Sequence, residues 1–526
     1  MKFNMEFYEE KKGKTNDKEI ENIKEYIENT NIQKNYEEQF LNNITDKELY
    51  HLSTQSQNIL NWYPFSKEMK VLEIGGGLGE LTGILCDRVT KVVTIETDLE
   101  NARLLAKRHQ NRENLEVIVG NFEKIRLDEK FDVITLIGII PKINQLMNKQ
   151  VKLIEFIKYL EQFLKNDGKF LIAVDNKFGL RYFSGHPENI FNKKFESLIG
   201  YNDYPEKIET FTKTSLEKML KNIGYNTNFY YPLPDYKLPN VIFTDKELAK
   251  YNSVDKYVPY PTSKSDTIFN EIDVFREILK TDSNMFPFFA NSFLVEVSKN
   301  QINLVYKYIS FNNMRKQEYR LITKIADTYV EKQIVSKEAN NHYQEIKQNL
   351  DILKERSIQT VDYIENDTIR SKYIEQKYLL NNVLTQFLEE NETQKFDNIL
   401  NKYIEILKIQ SFKNINYKET VFAKYNIPIE NGLLQELHFV KNGLWDMTFK
   451  NCFYINDTFY FFDQEWNEPN VPIEFILYRS ILYTISLRRY ININTLFEKY
   501  NLNKYLVLFE KLDNALQENI RDEKIW

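Results

Sequence analysis

Cysteine is almost missing from this sequence. Cys86 and Cys452 are the only two in 526 residues. Two thiols build no disulfide framework, and neither stands in a C-x-x-C metal pattern, so the chain fits a reducing cytosol. Long apolar runs are also missing. No stretch reaches the roughly eighteen apolar residues of a transmembrane helix, and the polar, acidic N-terminus is unlike a signal peptide. An excess of one charge is lacking as well. The net charge is −6, with Lys and Arg spread along the chain, so nothing marks a generic polyanion binder and no nucleic-acid partner is expected. What remains is a globular composition, 42% hydrophobic and 28% charged, in a chain long enough for two or three domains.

Glycine is concentrated at one point. In Lys70–Glu80, KVLEIGGGLGE, the run Val71, Leu72, Ile74 carries Glu73 and is followed by Gly75, Gly77 and Gly79, then by the apolar helical spacing of Leu81, Ile84 and Leu85. This reads as strand, tight turn and helix, the start of a βαβ unit. Glycines let backbone approach a ligand closely, and the helix N-terminus behind them favours a negative group. A dinucleotide fingerprint wants Gly or Ala where Glu80 stands, and a P-loop wants Lys after the glycines. The remaining pattern, E-x-G-x-G-x-G, resembles motif I of class I S-adenosylmethionine-dependent methyltransferases. Lys91–Glu96 reads as a second strand, with Glu96 about twenty residues past the first glycine, where a ribose-binding acid belongs. Leu115–Asn121, Phe131–Ile139 and Gly168–Asn176 read as the third to fifth strands, with a helix at Val151–Lys165 before the last. The resemblance covers roughly 40–240. It implies S-adenosylmethionine held by Glu73, Gly75, Gly77, Gly79 and Glu96, with Asn121 (where the family often has Asp) and Phe122 beside the adenine.

Residues 1–60 are expected to be a helical N-terminal cap, with Asp17–Asn31 and Tyr36–Leu60 as its best segments. Tyr50, His51, Leu52 and Ser53 are placed to close over the cofactor if the cap is also a lid. After the fifth strand the loop Asp175–Glu188 mixes aromatics, glycines, Arg181 and one of five histidines, His186. It starts where open α/β sheets bind ligands. Either it merely covers the sheet edge, or it holds a sugar or phosphate through Asn176, Arg181 and Tyr182. In the second case His186 is the first choice of general base, ahead of Asp175 and Glu188. A second aromatic loop, Phe229–Asn240, would flank it. Charged helical pieces and a turn at Pro259–Pro261 follow, and the domain boundary is expected near 285–292, closing a methyltransferase domain at 61–290.

The second half has its own pattern. Phe293–Val297 and Leu304–Ser310 alternate as a hairpin. Thr328–Ile334 is a strand carrying Lys332, Ser336–Arg356 a helix that Ser336 would cap, and two strands follow near Thr360–Ile364 and Ile369–Ile374. Downstream, Asp446 and Asn451 stand five apart and Asp463 follows twelve residues later, an order similar to a kinase catalytic loop and its metal-binding Asp. This half, 291–490, resembles the aminoglycoside and choline kinase type of protein-kinase-like fold. The resemblance implies Asp446 as base, Asn451 and Asp463 as magnesium ligands, and Lys332 on the ATP phosphates with Glu345, or secondarily Glu338, as its helix partner. The usual His is Leu444, Gln464 and Glu465 follow Asp463, and Lys299–Gln301 stands where a Gly-rich loop would be, so a pseudokinase is the other reading. Residues 491–526 read as amphipathic helices whose apolar faces are core, or else a membrane or partner surface.

The expected fold is therefore α/β, a Rossmann-like methyltransferase sheet with a helical cap, followed by an α+β kinase-like two-lobed domain. The combination looks like bifunctional enzymes of bacterial surface polysaccharides, in which a kinase phosphorylates a terminal sugar and a methyltransferase caps it. It implies a glycan or sugar-phosphate substrate and a cytoplasmic place, with a glycosyltransferase partner or a peripheral contact at the inner membrane face. The competing class is a protein or small-molecule methyltransferase with a pseudokinase scaffold.

Overall fold

Short β-branched runs separated by turn residues become strands. In the computed structural model, which describes residues 1–9, 18–29, 45–204, 208–251 and 267–522, the chain divides into units at Met1–Asn313 and Met314–Trp526. The first holds β1 (Lys2–Phe7), β2 (Lys70–Ile74), β3 (Lys91–Glu96), β4 (Leu115–Gly120), β5 (Phe131–Ile137), β6 (Leu164–Asp175), β7 (Asn226–Leu233), β8 (Val241–Thr244), β9 (Ser292–Ser298) and β10 (Tyr306–Phe311). Their order is β1-β4-β3-β2-β5-β6-β9-β7-β8-β10. The pairs from β1 through β6 are parallel, and β9 lies antiparallel between β6 and β7. Helices Thr82–Arg88, Leu99–Arg108 and Leu153–Leu160 are among the crossovers that parallel strands require. The inner strands are covered on both faces, which is why β2 and β3 read as almost unbroken apolar runs. From β2 the chain winds one way to β3 and β4, then the other way to β5 and β6. The strand order thus reverses between β2 and β5, and ligands sit at the carboxyl ends of strands at such a point.

Three expectations for this unit change. The N-terminal 60 residues are not purely helical, because Lys2–Phe7 forms an edge strand paired in parallel with β4. Helices at Lys18–Asn29 and Asp46–Leu52 follow, and the rest of the expected segment at 36–44 lies outside the described residues, as does the Pro259–Pro261 turn. The boundary near 285–292 moves to 313/314. Phe293–Val297 starts no new domain: β9 fills the gap between β6 and β7, with every one of its residues buried. Tyr306–Phe311 pairs with β8 rather than with β9.

The second unit opens with β11 (Leu321–Ala326), β12 (Tyr329–Ile334), β13 (Asp362–Glu365) and β14 (Thr368–Lys372), an antiparallel sheet in the order β11-β12-β14-β13. The helix Asn340–Glu355 follows β12 and buries Tyr343, Ile346, Leu350 and Leu353. Ser336 does not cap it; a 3-10 turn, Lys337–Ala339, comes between. Further on are β15 (Phe439–Gly443), β16 (Cys452–Ile455), β17 (Thr458–Phe461) and β18 (Glu468–Pro472), with β15 paired to β18 and β16 to β17. The helices Ile493–Lys499 and Leu506–Ile520 put Leu496, Phe497, Phe509, Leu512 and Leu516 into the same core as Leu353, Tyr403 and Phe475. The described part of the expected C-terminal segment at 491–526 is therefore not separate from the rest of the second unit. Among the described residues no helix is long and apolar enough to cross a membrane.

Candidate active site

At the end of β2 the glycine turn has φ values that L side chains rarely adopt: +77° at Gly75, +55° at Gly77 and +85° at Gly79. At Gly75 space forbids a side chain too, since a Cβ would lie 2.6 Å from Ile139 Cγ2 in the loop after β5. Glu96, at the end of β3, is buried and accepts hydrogen bonds from the N–H of Gly77 at 2.9 Å, Thr97 at 2.8 Å and Asp98 at 3.0 Å. Burial raises its pKa, with the Asp98 and Gly77 amides opposing. The Gly77 bond is the only one Oε2 accepts among these, so this oxygen keeps room for a ribose hydroxyl. A glycine backbone turn beside an acidic strand end fits a nucleoside such as that of S-adenosylmethionine.

Glu73 lies underneath the turn rather than in the cradle. Its Oε2 accepts from Thr82 at 2.7 Å and Thr94 at 2.5 Å. Burial pushes its pKa up to about 7, against the pull of those two hydroxyls. It shapes the turn from inside. Phe122 is also displaced from its expected role, because its ring is fully buried against Phe156 and Tyr159. Asn121 does sit at the end of β4, where its Oδ1 accepts from the N–H of Glu123 at 3.1 Å.

The N-terminal segment is fastened to the turn. His51 Nδ1 bonds Glu80, Arg108 donates to the carbonyl oxygens of His51 at 2.7 Å and Leu78 at 3.3 Å, and Leu52 packs with Leu78 and Leu104. Burial would raise the Glu80 carboxyl, but His51 and then Arg108 hold it below the usual value. His51 and Leu52 thus lie against the turn.

A cavity opens at the carboxyl ends of β5 and β6. Its lining includes Gly138, Asp175, Lys177, Tyr182, Tyr201 and Tyr236. Tyr182 comes from the first aromatic loop and Tyr236 from the second, as the sequence suggested. The other loop residues play different parts. Asn176 is fully buried and donates to the carbonyls of Phe288 at 2.8 Å and Ala290 at 2.7 Å, so it ties the loop down and has no hydrogen left for a substrate. Arg181 is engaged in a buried ion pair with Asp235. His186 lies off the lining, and burial, with Arg181 nearby, lowers its pKa to about 4.

In the second unit the structure gathers most of the predicted set. Lys332 reaches both Asp463 and Glu465. Asn451 Nδ2 donates to Asp446 Oδ2 at 2.6 Å, while Arg479 lies 3.4 Å from Asp446 Oδ1. Glu345 is the exception: its side chain is 64% exposed, near His342. Glu465 takes its place beside Lys332, and Arg315 also binds it. Burial works against this group of charges. Even so, Asp463 and Glu465 raise the Lys332 pKa, and Arg315 and Lys332 hold Glu465 well below the carboxylate range. Sequence spacing missed Glu465 because it looks for the partner on the helix. Among the described residues no group of three or more His, Cys, Asp and Glu is arranged to hold a metal; Asn451 and Asp463 would need phosphate oxygens to complete a magnesium shell.

The ribosomal RNA adenine dimethylase family model matches residues 29–159. The chain is 31% identical over 84 residues to the malonyl-[acyl-carrier protein] O-methyltransferase of Priestia megaterium, covering 16% of this chain and 31% of that protein. It is 38% identical over 61 residues to the ornithine lipid N-methyltransferase of Singulisphaera acidiphila, covering 11% and 32%. The chain thus spans about a third of the length of these curated relatives. A solved S-adenosylmethionine-dependent methyltransferase of Aquifex aeolicus is 16% identical, with a TM-score of 0.26, over 36% of this chain and 87% of that one. The family match, the strand order and the glycine turn give the first unit the Rossmann-like fold of class I S-adenosylmethionine-dependent methyltransferases.

Proposed function

We propose that the first unit transfers a methyl group from S-adenosylmethionine to a sugar, sugar phosphate or polysaccharide end, and that the second unit phosphorylates the same glycan with ATP and magnesium. The observation that carries the first part is the cradle of Gly75, Gly77 and Gly79 beside buried Glu96. When bound, the cofactor supplies a methyl group activated by its sulfonium. The chain's residues position the partners, which provides much of the rate of an in-line displacement. Glu96 would take the ribose hydroxyls, the turn's backbone would pass close to the methionine portion, and Ile139 would separate this space from the acceptor cavity. The matched proteins are named for an acyl carrier, a lipid and RNA, so the acceptor must be argued from this chain. At the exit of β5, Gly138, Ile139, Ile140 and Pro141 offer no polar side chain to read a base edge. Phenols and a carboxylate around a cavity suit a sugar better.

The support for the second part is the convergence of Lys332, Asp446, Asn451 and Asp463. Asn451 gives its amide N–H to Asp446, which leaves its oxygen for a cation. A glycosyltransferase partner at the inner membrane face in the cytoplasm accords with such a substrate. Calorimetry with S-adenosylmethionine on wild type and Gly75→Arg tests the first part: wild type binds and the variant does not. No wild-type binding, or equal binding by both, rejects it.

A further inference from the structure

We infer that Asp175 holds the acceptor by a hydroxyl group and takes that hydroxyl's proton as the methyl group arrives. This rests on the methyl-transfer reading above and adds the group that does the proton chemistry. Asp175 is the last residue of β6 and lines the cavity. Its Oδ2 accepts from Asn189 at 3.0 Å, whereas Oδ1 is shut off from solvent with no hydrogen-bond partner among the described residues. A buried carboxylate oxygen without a donor is uncommon and costly, so it marks a place where a donor from outside belongs. The cavity's own phenols do not fill it: Tyr182 and Tyr236 share the lining but neither donates to Asp175.

The charges around Asp175 select the kind of donor. Lys237, close to the carboxyl, donates to Asn189 at 2.7 Å, Arg181 pairs with Asp235, and Lys177 is on the cavity wall. Glu209, also on the wall, accepts from the N–H of Leu153 at 2.6 Å. Lys177, Lys237 and Arg181 are thus matched by Asp175, Asp235 and Glu209, so an ammonium acceptor would leave an unmatched buried charge, while a neutral hydroxyl would not. In the step, the hydroxyl proton passes to Asp175 Oδ1 and an oxygen lone pair forms the new O–CH3 bond. The C–S bond breaks with its electron pair left on sulfur, giving a neutral thioether. His186, off the lining, has no part.

The probes are glucose, galactose, mannose, N-acetylglucosamine and their 1-phosphates. Sugar binding is read by saturation-transfer NMR in the presence of S-adenosylhomocysteine, methyl transfer with methyl-labelled cofactor, and cofactor affinity by calorimetry. Wild type is expected to bind and label at least one sugar. Asp175→Asn should keep cofactor affinity and lose about 10²- to 10⁴-fold in kcat, the usual share of a general base. Asn189→Ala, on an exposed loop, removes the bond to Oδ2 and should move the acid limb of kcat to higher pH even if Asp175→Asn fails to fold. Failure of the cofactor to bind wild type would reject the methyl-transfer reading itself. Given cofactor binding, this inference is overturned if no sugar is bound and labelled, if a folded Asp175→Asn keeps kcat within about threefold, or if the limb does not move in Asn189→Ala.

Discussion

Replacing Glu73 with glutamine should make the first unit less sensitive to alkali. The side chain is sealed beneath the glycine turn, and its folded pKa is about 7 against an ordinary 4.5. A carboxyl raised in the folded state stays protonated there while the unfolded chain has already ionised. The folded state therefore loses stability as pH rises from the lower value through the higher. Each pH unit of separation is worth about 1.4 kcal/mol, so between about pH 5 and pH 8 the wild type should lose roughly 2.5 kcal/mol from this one group. The amide of the Glu73→Gln variant cannot ionise, and its carbonyl oxygen can still accept from Thr82 and Thr94. Hydrogen exchange followed by mass spectrometry on the peptide containing 70–74, corrected for intrinsic chemical exchange, reads the opening free energy of β2 in the intact chain. The protection difference between variant and wild type should grow by that amount over the interval. A difference that is constant with pH would refute the reasoning, whatever its absolute size, because only the ionisation of Glu73 makes it vary.

Asp446→Asn should retain nucleotide binding but lose most phosphotransfer, while Asp463→Ala should lose magnesium-dependent ATP binding itself; labelled ATP with candidate oligosaccharides and thermal shift separate the two, and absence of magnesium-dependent binding by wild type rejects the kinase reading. Asp235→Ala removes one partner of a buried ion pair and should destabilise the first unit by about 3–5 kcal/mol, measured by the same exchange method on β6 peptides. Glu345→Ala should leave ATP affinity and turnover unchanged, whereas Glu465→Ala should reduce both by about tenfold or more, since Glu465 is the carboxylate that reaches Lys332.

The parallel strands of the first unit were legible because burial on both faces leaves almost unbroken apolar runs, and the turn was legible because few residues tolerate its φ values. β1 was hidden by its composition: Asn4 and Glu6 interrupt the apolar residues of a half-exposed edge. Side-chain direction was harder still. Asn176, Arg181 and Phe122 have the residue types of ligand contacts, yet the first satisfies backbone carbonyls, the second a buried carboxylate and the third the core. Nothing in a spacing says which of several compatible partners a side chain will meet. The same holds for Lys332, where two carboxylates near in space but distant in sequence displaced the one on the expected helix.

The insertion of β9 has a consequence for how the first unit comes into being. β6 ends at Asp175 and β7 at Leu233, yet the strand that joins them arrives only with Ser292–Ser298. During synthesis both must wait with open hydrogen-bonding edges while nearly sixty further residues leave the ribosome, a span of several seconds at ordinary elongation rates. Open edges invite pairing with other chains. A fragment ended at residue 290, where composition alone suggests a domain border, would keep that seam open permanently and should aggregate, while one ended at 313 would carry the strand that closes it.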